Sequence, residues 1–274
     1  MLGDNREVTD GTIVFQGRGG LKFLLDISEK ELQAIRGKEI SFIFQEPFSA
    51  LNPLMRIGEQ IAETLKLHGE RDKEKIRKTI KELMERLSLG EPEKLIKAYP
   101  HQLSGGMCQR VMIALAIITR PRLLIADEPT TALDQKTQSQ ILSLLKDINR
   151  DLGVSILFIS HDLGVIKDFC SRVLVMYSGR ILEDGTTEDV FLHPSHEYTR
   201  GLLASIPDRE KRGKNLAAIP GRIPSLEEGR PSGCPFHPRC ERVSEKCKTV
   251  FPAARALNAN HKTHCGFHTQ EKKV

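Results

Sequence analysis

No stretch of this 274-residue chain approaches the roughly 20 consecutive apolar residues that a membrane-spanning helix requires. The opening segment MLGDNREVTDG lacks the apolar core of a secretory signal, so the chain is expected to stay in the cytosol and to meet a membrane only through a partner. Nucleic-acid signatures are missing too: neither an RNA-binding aromatic motif nor a DNA-reading module occurs. The net charge of +5 does not alter that expectation. Basic residues are spread along the chain and interleave with Glu in runs such as GERDKEKIRKTIKELMERL, the pattern of a solvated helix face. No nucleic-acid partner is therefore expected.

With 39% hydrophobic and 28% charged residues, the composition suits a globular protein and excludes a disordered or membrane-spanning class. The length allows one large domain, or one domain with an appendage.

The segments TIVFQG and LKFLLDIS alternate as a β-ribbon would, with glycines between them. Ser28 and Glu31 form a capping-box signature for a short helix through Arg36. EISFIFQ then reads as a strand ending at Gln45, followed by the Pro-containing loop EPFSALNPL. Between Ile57 and Leu89, Ile61, Leu65, Ile76, Ile80, Leu83 and Leu87 recur at helical spacing, marking a helical insertion. Beyond Gln109, helix and buried strand alternate: VMIALAII, LLIAD, TQSQILSLLKDINRDL and VSILFIS. That alternation implies a parallel sheet. VLVMYSG and RILEDG read as a hairpin turned at Ser178-Gly179. From Pro194 the chain becomes rich in Pro, Gly and charge, which suggests a small appendage.

Three segments carry candidate chemistry. In LSGGMCQRV, Ser104, Gly105 and Gly106 open a helix whose N-terminus favours a phosphate, although a Ser-Gly-Gly turn is often no more than a cap. LLIADEPTTALD brings Asp127 and Glu128 to the carboxyl edge of the sheet, where ligands bind in α/β proteins. Asp127 suits a magnesium ion held through water. Glu128 suits a base that orients or deprotonates an attacking water, while the alternative is an acidic pair capping a turn. His161, in ISHD, could contact a γ-phosphate, and Gln45 ends a strand with a neutral amide.

The order Gln45, LSGGMCQ, LLIADEPTTALD and ISHD resembles the nucleotide-binding subunit of ABC transporters over nearly the whole chain. The resemblance implies an α/β ABC-type nucleotide-binding fold with mixed sheet, helical subdomain (about 54–115) and a small Cys-containing appendage. The domain proper is expected over 1–193, and the appendage over 194–274. It also implies ATP and Mg2+ as cofactors. Gln45 would couple nucleotide to the membrane subunit. Ser104, Gly105 and Gly106, with Gln109 in the same signature, would contact ATP held by the opposite subunit. Asp127 would hold magnesium, Glu128 would act as base, Asp134 would lie across the dimer, and His161 would sense the γ-phosphate.

SFIFQEPFSALNPLMRIGEQI, HPSHEYTRGLLASIP and the cysteine-bearing tail look like the oligopeptide/dipeptide import branch of that family. The partners so implied are a second ABC ATPase subunit, two transmembrane permease subunits and, indirectly, an external peptide-binding protein, at the cytoplasmic face of the membrane. Of six cysteines, four lie after residue 230; Cys234, Cys240, Cys247 and Cys265 give C-x5-C-x6-C-x17-C. In a reducing compartment such a cluster favours metal over disulfides. Some subunits of this branch bind a [4Fe-4S] cluster there. Because the spacing is not the C-x2-C pair usual for zinc fingers, iron-sulfur is the expectation, with zinc or four unliganded thiols as alternatives.

The family's phosphate loop, G-x-x-x-x-G-K-[ST], does not occur in the chain. Gly-Lys appears only at Gly37-Lys38 and Gly213-Lys214, neither followed by Ser or Thr, and GRGG at 17–20 has no such lysine. The sequence is thus expected to be a family member truncated before the β-ribbon, catalytically impaired when alone and able to offer its signature to a complete partner.

Overall fold

The computed structural model of the chain describes residues 8–131, 133–207, 218–223, 229 and 231–266. It divides into two compact units, Met1–His161 and Asp162–Val274.

In the first unit, β1 (Val14–Gly17) and β2 (Gly20–Phe23) form the expected antiparallel ribbon. Its second arm stops at Phe23, where the turn Asp26 N–H to Phe23 carbonyl takes over. Helix α1 (Glu29–Ile35) starts at a complete capping box: Ser28 Oγ accepts from the Glu31 amide, and the Glu31 carboxylate accepts from the Ser28 amide. Strand β3 (Ile40–Ile43) leads into a single helical turn, α2 (Pro47–Ala50), where a plain loop was expected. Proline stands at the first helical position, which needs no amide donor, so it starts this turn instead of forbidding it.

The insertion follows as α3 (Ile57–Leu67), α4 (Lys73–Arg86) and α5 (Pro92–Leu95). Ile61, Ile76, Ile80 and Leu87 are buried as their spacing requires. Helix α6 (Gly105–Ile117) is buried on most sides, in keeping with its largely apolar sequence. Strand β4 (Leu123–Asp127), helix α7 (Gln135–Leu152) and strand β5 (Ser155–Ile159) complete the unit. Strands β3, β4 and β5 form a parallel sheet in that order, with Ile43 opposite Ala126 and Asp127 opposite Ile159. Leu124, Ala126, Ile141, Leu145 and Ile148 pack as its fully buried core.

The second unit holds α8 (Leu163–Phe169), the hairpin β6 (Arg172–Tyr177) and β7 (Arg180–Thr186), α9 (Thr187–Leu192) and α10 (Glu197–Ala204). Ser178 and Gly179 both take positive φ, 45° and 73°, as a two-residue primed turn demands. A short α11 (Glu245–Thr249) and two-residue strands β8 (Arg255–Ala256) and β9 (Lys262–Thr263) follow. They extend the hairpin into an antiparallel sheet of order β6-β7-β9-β8. Its core gathers Tyr177, Leu182, Cys234 and Phe236, with Tyr198, Cys240 and Cys247 packed against them. Among the described residues, no helix is long and apolar enough to cross a membrane.

Candidate functional site

Three parallel strands in register bring their carboxyl ends to one edge, and the next residues along each chain segment meet there. Gln45 lies two residues past β3, Glu128 one past β4 and His161 two past β5. Glu128 occupies the left-handed region at φ 45°, uncommon for a side-chain-bearing residue and a sign that the local fold enforces it. Its amide donates to the Ile159 carbonyl at 2.9 Å, fastening the turn to β5.

The Glu128 carboxylate is the centre of the constellation. Oε2 accepts from Gln45 Nε2 at 3.0 Å and from Thr131 Oγ1 at 2.8 Å, while Oε1 meets His161 Nδ1 at 2.8 Å. His161, and then Thr131, hold the carboxyl below the usual carboxylate range. It is therefore ionised, and a carboxylate so stabilised is better at fixing a water by hydrogen bonding than at removing its proton. Asp127 ends β4, one residue away. Thr131 escaped the sequence reading. Its one signal was the position three residues beyond Glu128 in DEPTT, a spacing that returns a side chain to its neighbour only in a turn.

Ser104, Gly105, Gly106 and Asp134 form a different patch, made from the starts of two helices. Ser104 caps α6 by accepting from the Met107 amide at 3.3 Å. Asp134 caps α7, accepting from the Thr137 amide at 3.0 Å and its hydroxyl at 2.6 Å. The two starts touch: a Cβ on Gly106 would stand 2.7 Å from Thr137 Cγ2, so any larger residue there requires Thr137 to shift. Gln109, one turn along α6, is 2% exposed, and its Nε2 has no hydrogen-bond partner among the described residues. A direct contact between that side chain and a nucleotide would require it to leave the core.

In the second unit, Cys234, Cys240, Cys247 and Cys265 line one cavity together with His196 and His264. Gly233 makes this possible. At φ 66°, with a would-be Cβ colliding with the Cys247 carbonyl, it lets the chain run against α11, where the Cys234 amide donates to the Cys247 carbonyl at 2.9 Å. Burial pushes the Cys234 thiol up to about 11 and raises Cys240 as well. Burial of this kind favours the neutral thiol, so any metal held here would have to displace those protons. Among the described residues, however, no three His, Cys, Asp or Glu side chains converge at single-ion geometry.

Bonded to the backbone of His196, which lines this cavity, is a buried acid. Glu183 is fully buried and accepts from the Ser195 amide at 2.7 Å, the His196 amide at 2.9 Å and His261 Nε2 at 2.8 Å. It ties β7 to the start of α10 and to the β8–β9 turn.

Comparison with known proteins accords with this geometry. The family profile described as ABC transporter matches residues 1–131, and that of the oligopeptide/dipeptide transporter C-terminal region matches residues 182–247. The chain is 43% identical over 265 residues to the oligopeptide transport ATP-binding protein OppD of Haemophilus influenzae, covering 97% of this chain and 80% of that protein. It is 44% identical over 264 residues to the dipeptide transport ATP-binding protein DppD of Bacillus subtilis, covering 96% and 77%. Among solved structures, the dimeric ATP-binding cassette MJ0796 bound to ADP and Pi superposes with a TM-score of 0.54 at 33% identity, covering 61% of this chain and 70% of that one. With the constellation around Glu128 and these relatives together, the chain belongs to the ABC transporter family of ATP-binding proteins.

Proposed function

We propose that this chain is an ATPase subunit that energises import of oligopeptides or dipeptides, acting with a second ATPase subunit and two membrane permeases, and indirectly with an external binding protein, at the cytoplasmic face of the membrane. The observation that carries the reading is the convergence of Gln45, Thr131 and His161 on the Glu128 carboxylate at the sheet's carboxyl edge. With ATP and Mg2+ bound, the metal would offset the charge on the phosphates. Asp127 would hold that ion through water. Glu128 would orient the attacking water, His161 would keep Glu128 ionised and aimed, and Gln45 would link the site to the permease.

The starts of α6 and α7 would face the nucleotide of the opposite subunit, presenting Ser104, Gly105 and Gly106 with Asp134 beside them. Gln109, buried as it is, would support α6 from within. These 274 residues contain no G-x-x-x-x-G-K-[ST] string, so residues outside them would cradle the phosphates of any ATP bound at Glu128. The separate patch of Ser104, Gly105, Gly106 and Asp134 supports a second reading, in which the chain serves as a non-catalytic half-site partner or remnant subunit, completing an active site on another subunit without turning over ATP itself.

For the C-terminal region, 194–274, we propose that Cys234, Cys240, Cys247 and Cys265 hold a [4Fe-4S] cluster, with zinc as the alternative. The four thiols lining one shared cavity support a thiolate-bound centre, and their C-x5-C-x6-C-x17-C spacing, which lacks the C-x2-C pair of zinc fingers, favours the cluster over zinc.

ATP turnover by the 274-residue chain, alone and mixed with a full-length partner subunit, separates the two functional readings. Turnover on mixing that falls at least about 100-fold with Glu128→Gln, as loss of a positioned catalytic group does, supports the ATPase reading. Turnover on mixing that ignores Glu128→Gln but disappears with Ser104→Arg leaves the half-site partner, and silence in every mixture overturns both.

A further inference from the structure

The strongest signal outside the nucleotide site is a histidine whose two ring nitrogens are both committed. His196 is 2% exposed and caps α10. Its Nδ1 accepts the Tyr198 amide hydrogen at 3.0 Å. A nitrogen that accepts from an amide carries no hydrogen, so the ring's single hydrogen sits on Nε2. Nε2 faces Cys234 Sγ at 3.7 Å, within range of an N–H···S hydrogen bond. The ring has little freedom to turn. Phe236 packs edge-on to it at 5.9 Å between centroids, and the backbone amide of His196 is itself fixed by the buried Glu183 carboxylate.

The cap therefore selects the tautomer, and the tautomer decides what Cys234 can be. We propose that His196 is a positioning residue for the four-cysteine site, donating Nε2–H to Cys234 Sγ. The inference rests on the thiolate-bound cluster proposed above. A sulfur that has given its proton up to metal coordination bears negative charge, and a hydrogen bond to it is charge-assisted. Partners of this kind fix ligand orientation and tune the centre. Because hydrogen bonds to ligand sulfurs stabilise the more negative, reduced state of a cluster, His196 raises the reduction potential.

His196→Asn separates capping from donation. Asparagine is a preferred cap and keeps the Tyr198 amide satisfied, but it is too short to reach Cys234. After anaerobic reconstitution with ferrous iron and sulfide, the variant should hold as much iron and sulfide as the wild type. Its midpoint potential should fall by about 59 mV, a tenfold shift in a one-electron equilibrium. An unchanged midpoint in a loaded variant overturns the proposal.

A second measurement needs neither a variant nor a cluster. The 15N shifts of the His196 ring in metal-free wild-type protein should report hydrogen on Nε2, and hydrogen on Nδ1 overturns the proposal. If the wild type takes up neither iron nor sulfide, the cluster reading falls by itself, and the tautomer alone decides whether the donor exists.

Discussion

Removing one carboxylate from the second unit should cost it a large share of its stability. Glu183 is fully buried and accepts three hydrogen bonds, two from backbone amides at the start of α10 and one from His261, which is itself only 2% exposed. Glu183→Ala strands all three donors away from water. Each buried unsatisfied donor costs about 1–3 kcal/mol, so the loss sums to roughly 3–6 kcal/mol with partial relaxation. Domains are stable by about 5–15 kcal/mol, which makes this loss a large fraction of the whole. Glu183→Gln keeps one carbonyl acceptor, placed to serve at least one amide, and should lose about half as much.

Urea unfolding in a Tyr99→Phe background, followed by tyrosine fluorescence, reads the second unit through Tyr177 and Tyr198 of its core. The midpoint should drop while the slope stays constant. A double-mutant cycle with His261→Ala should show coupling, because the two changes remove the same contact. If Glu183→Ala unfolds within about 1 kcal/mol of the wild type, the premise that these donors depend on Glu183 is wrong.

Two further outcomes follow from close contacts. Gly106→Ala should destabilise the first unit by about 1–3 kcal/mol, since its methyl would meet Thr137 Cγ2 at 2.7 Å in a side chain held by Asp134; adding Thr137→Ser removes that methyl, keeps the hydroxyl and should restore most of the loss in a thermal melt. Burial pushes the Cys108 thiol up to about 11 and leaves it inaccessible, so iodoacetamide at pH 8 should spare it in the native chain and label it after unfolding, as peptide mass mapping would record.

Much of the local architecture was legible before any coordinates. The 3.6-residue spacing of Ile61, Ile76, Ile80 and Leu87 located α3 and α4, because burying one face of a helix writes its period into the chain. Ser28 with Glu31, and Ser178 with Gly179, announced a cap and a turn, since those conformations demand particular residues at fixed offsets. The motifs containing Gln45, Ser104, Glu128 and His161 pointed to the family for a similar reason: their chemistry depends on residue type in short segments. The one-turn helix at Pro47 was not legible, because the same proline breaks a helix interior and begins a helix end.

Convergence was what the sequence by itself could not supply. Gln45 and His161 lie 83 and 33 residues from Glu128, and only the register of three parallel strands brings them onto one carboxylate, where Thr131 joins them through a local turn. The same holds for Glu183, which sits in the polar-looking run RILEDG yet is fully buried, because sheet pairing and the start of α10 close over it. Cys234 and Cys265 are 31 residues apart by number, yet they border one cavity, and Gly233 allows the chain at Cys234 to run against α11 beside Cys247. Sequence determines which residues can do chemistry and which local conformations they favour; tertiary structure decides which meet, because a long-range hydrogen bond depends on packing that no short window of the chain encodes.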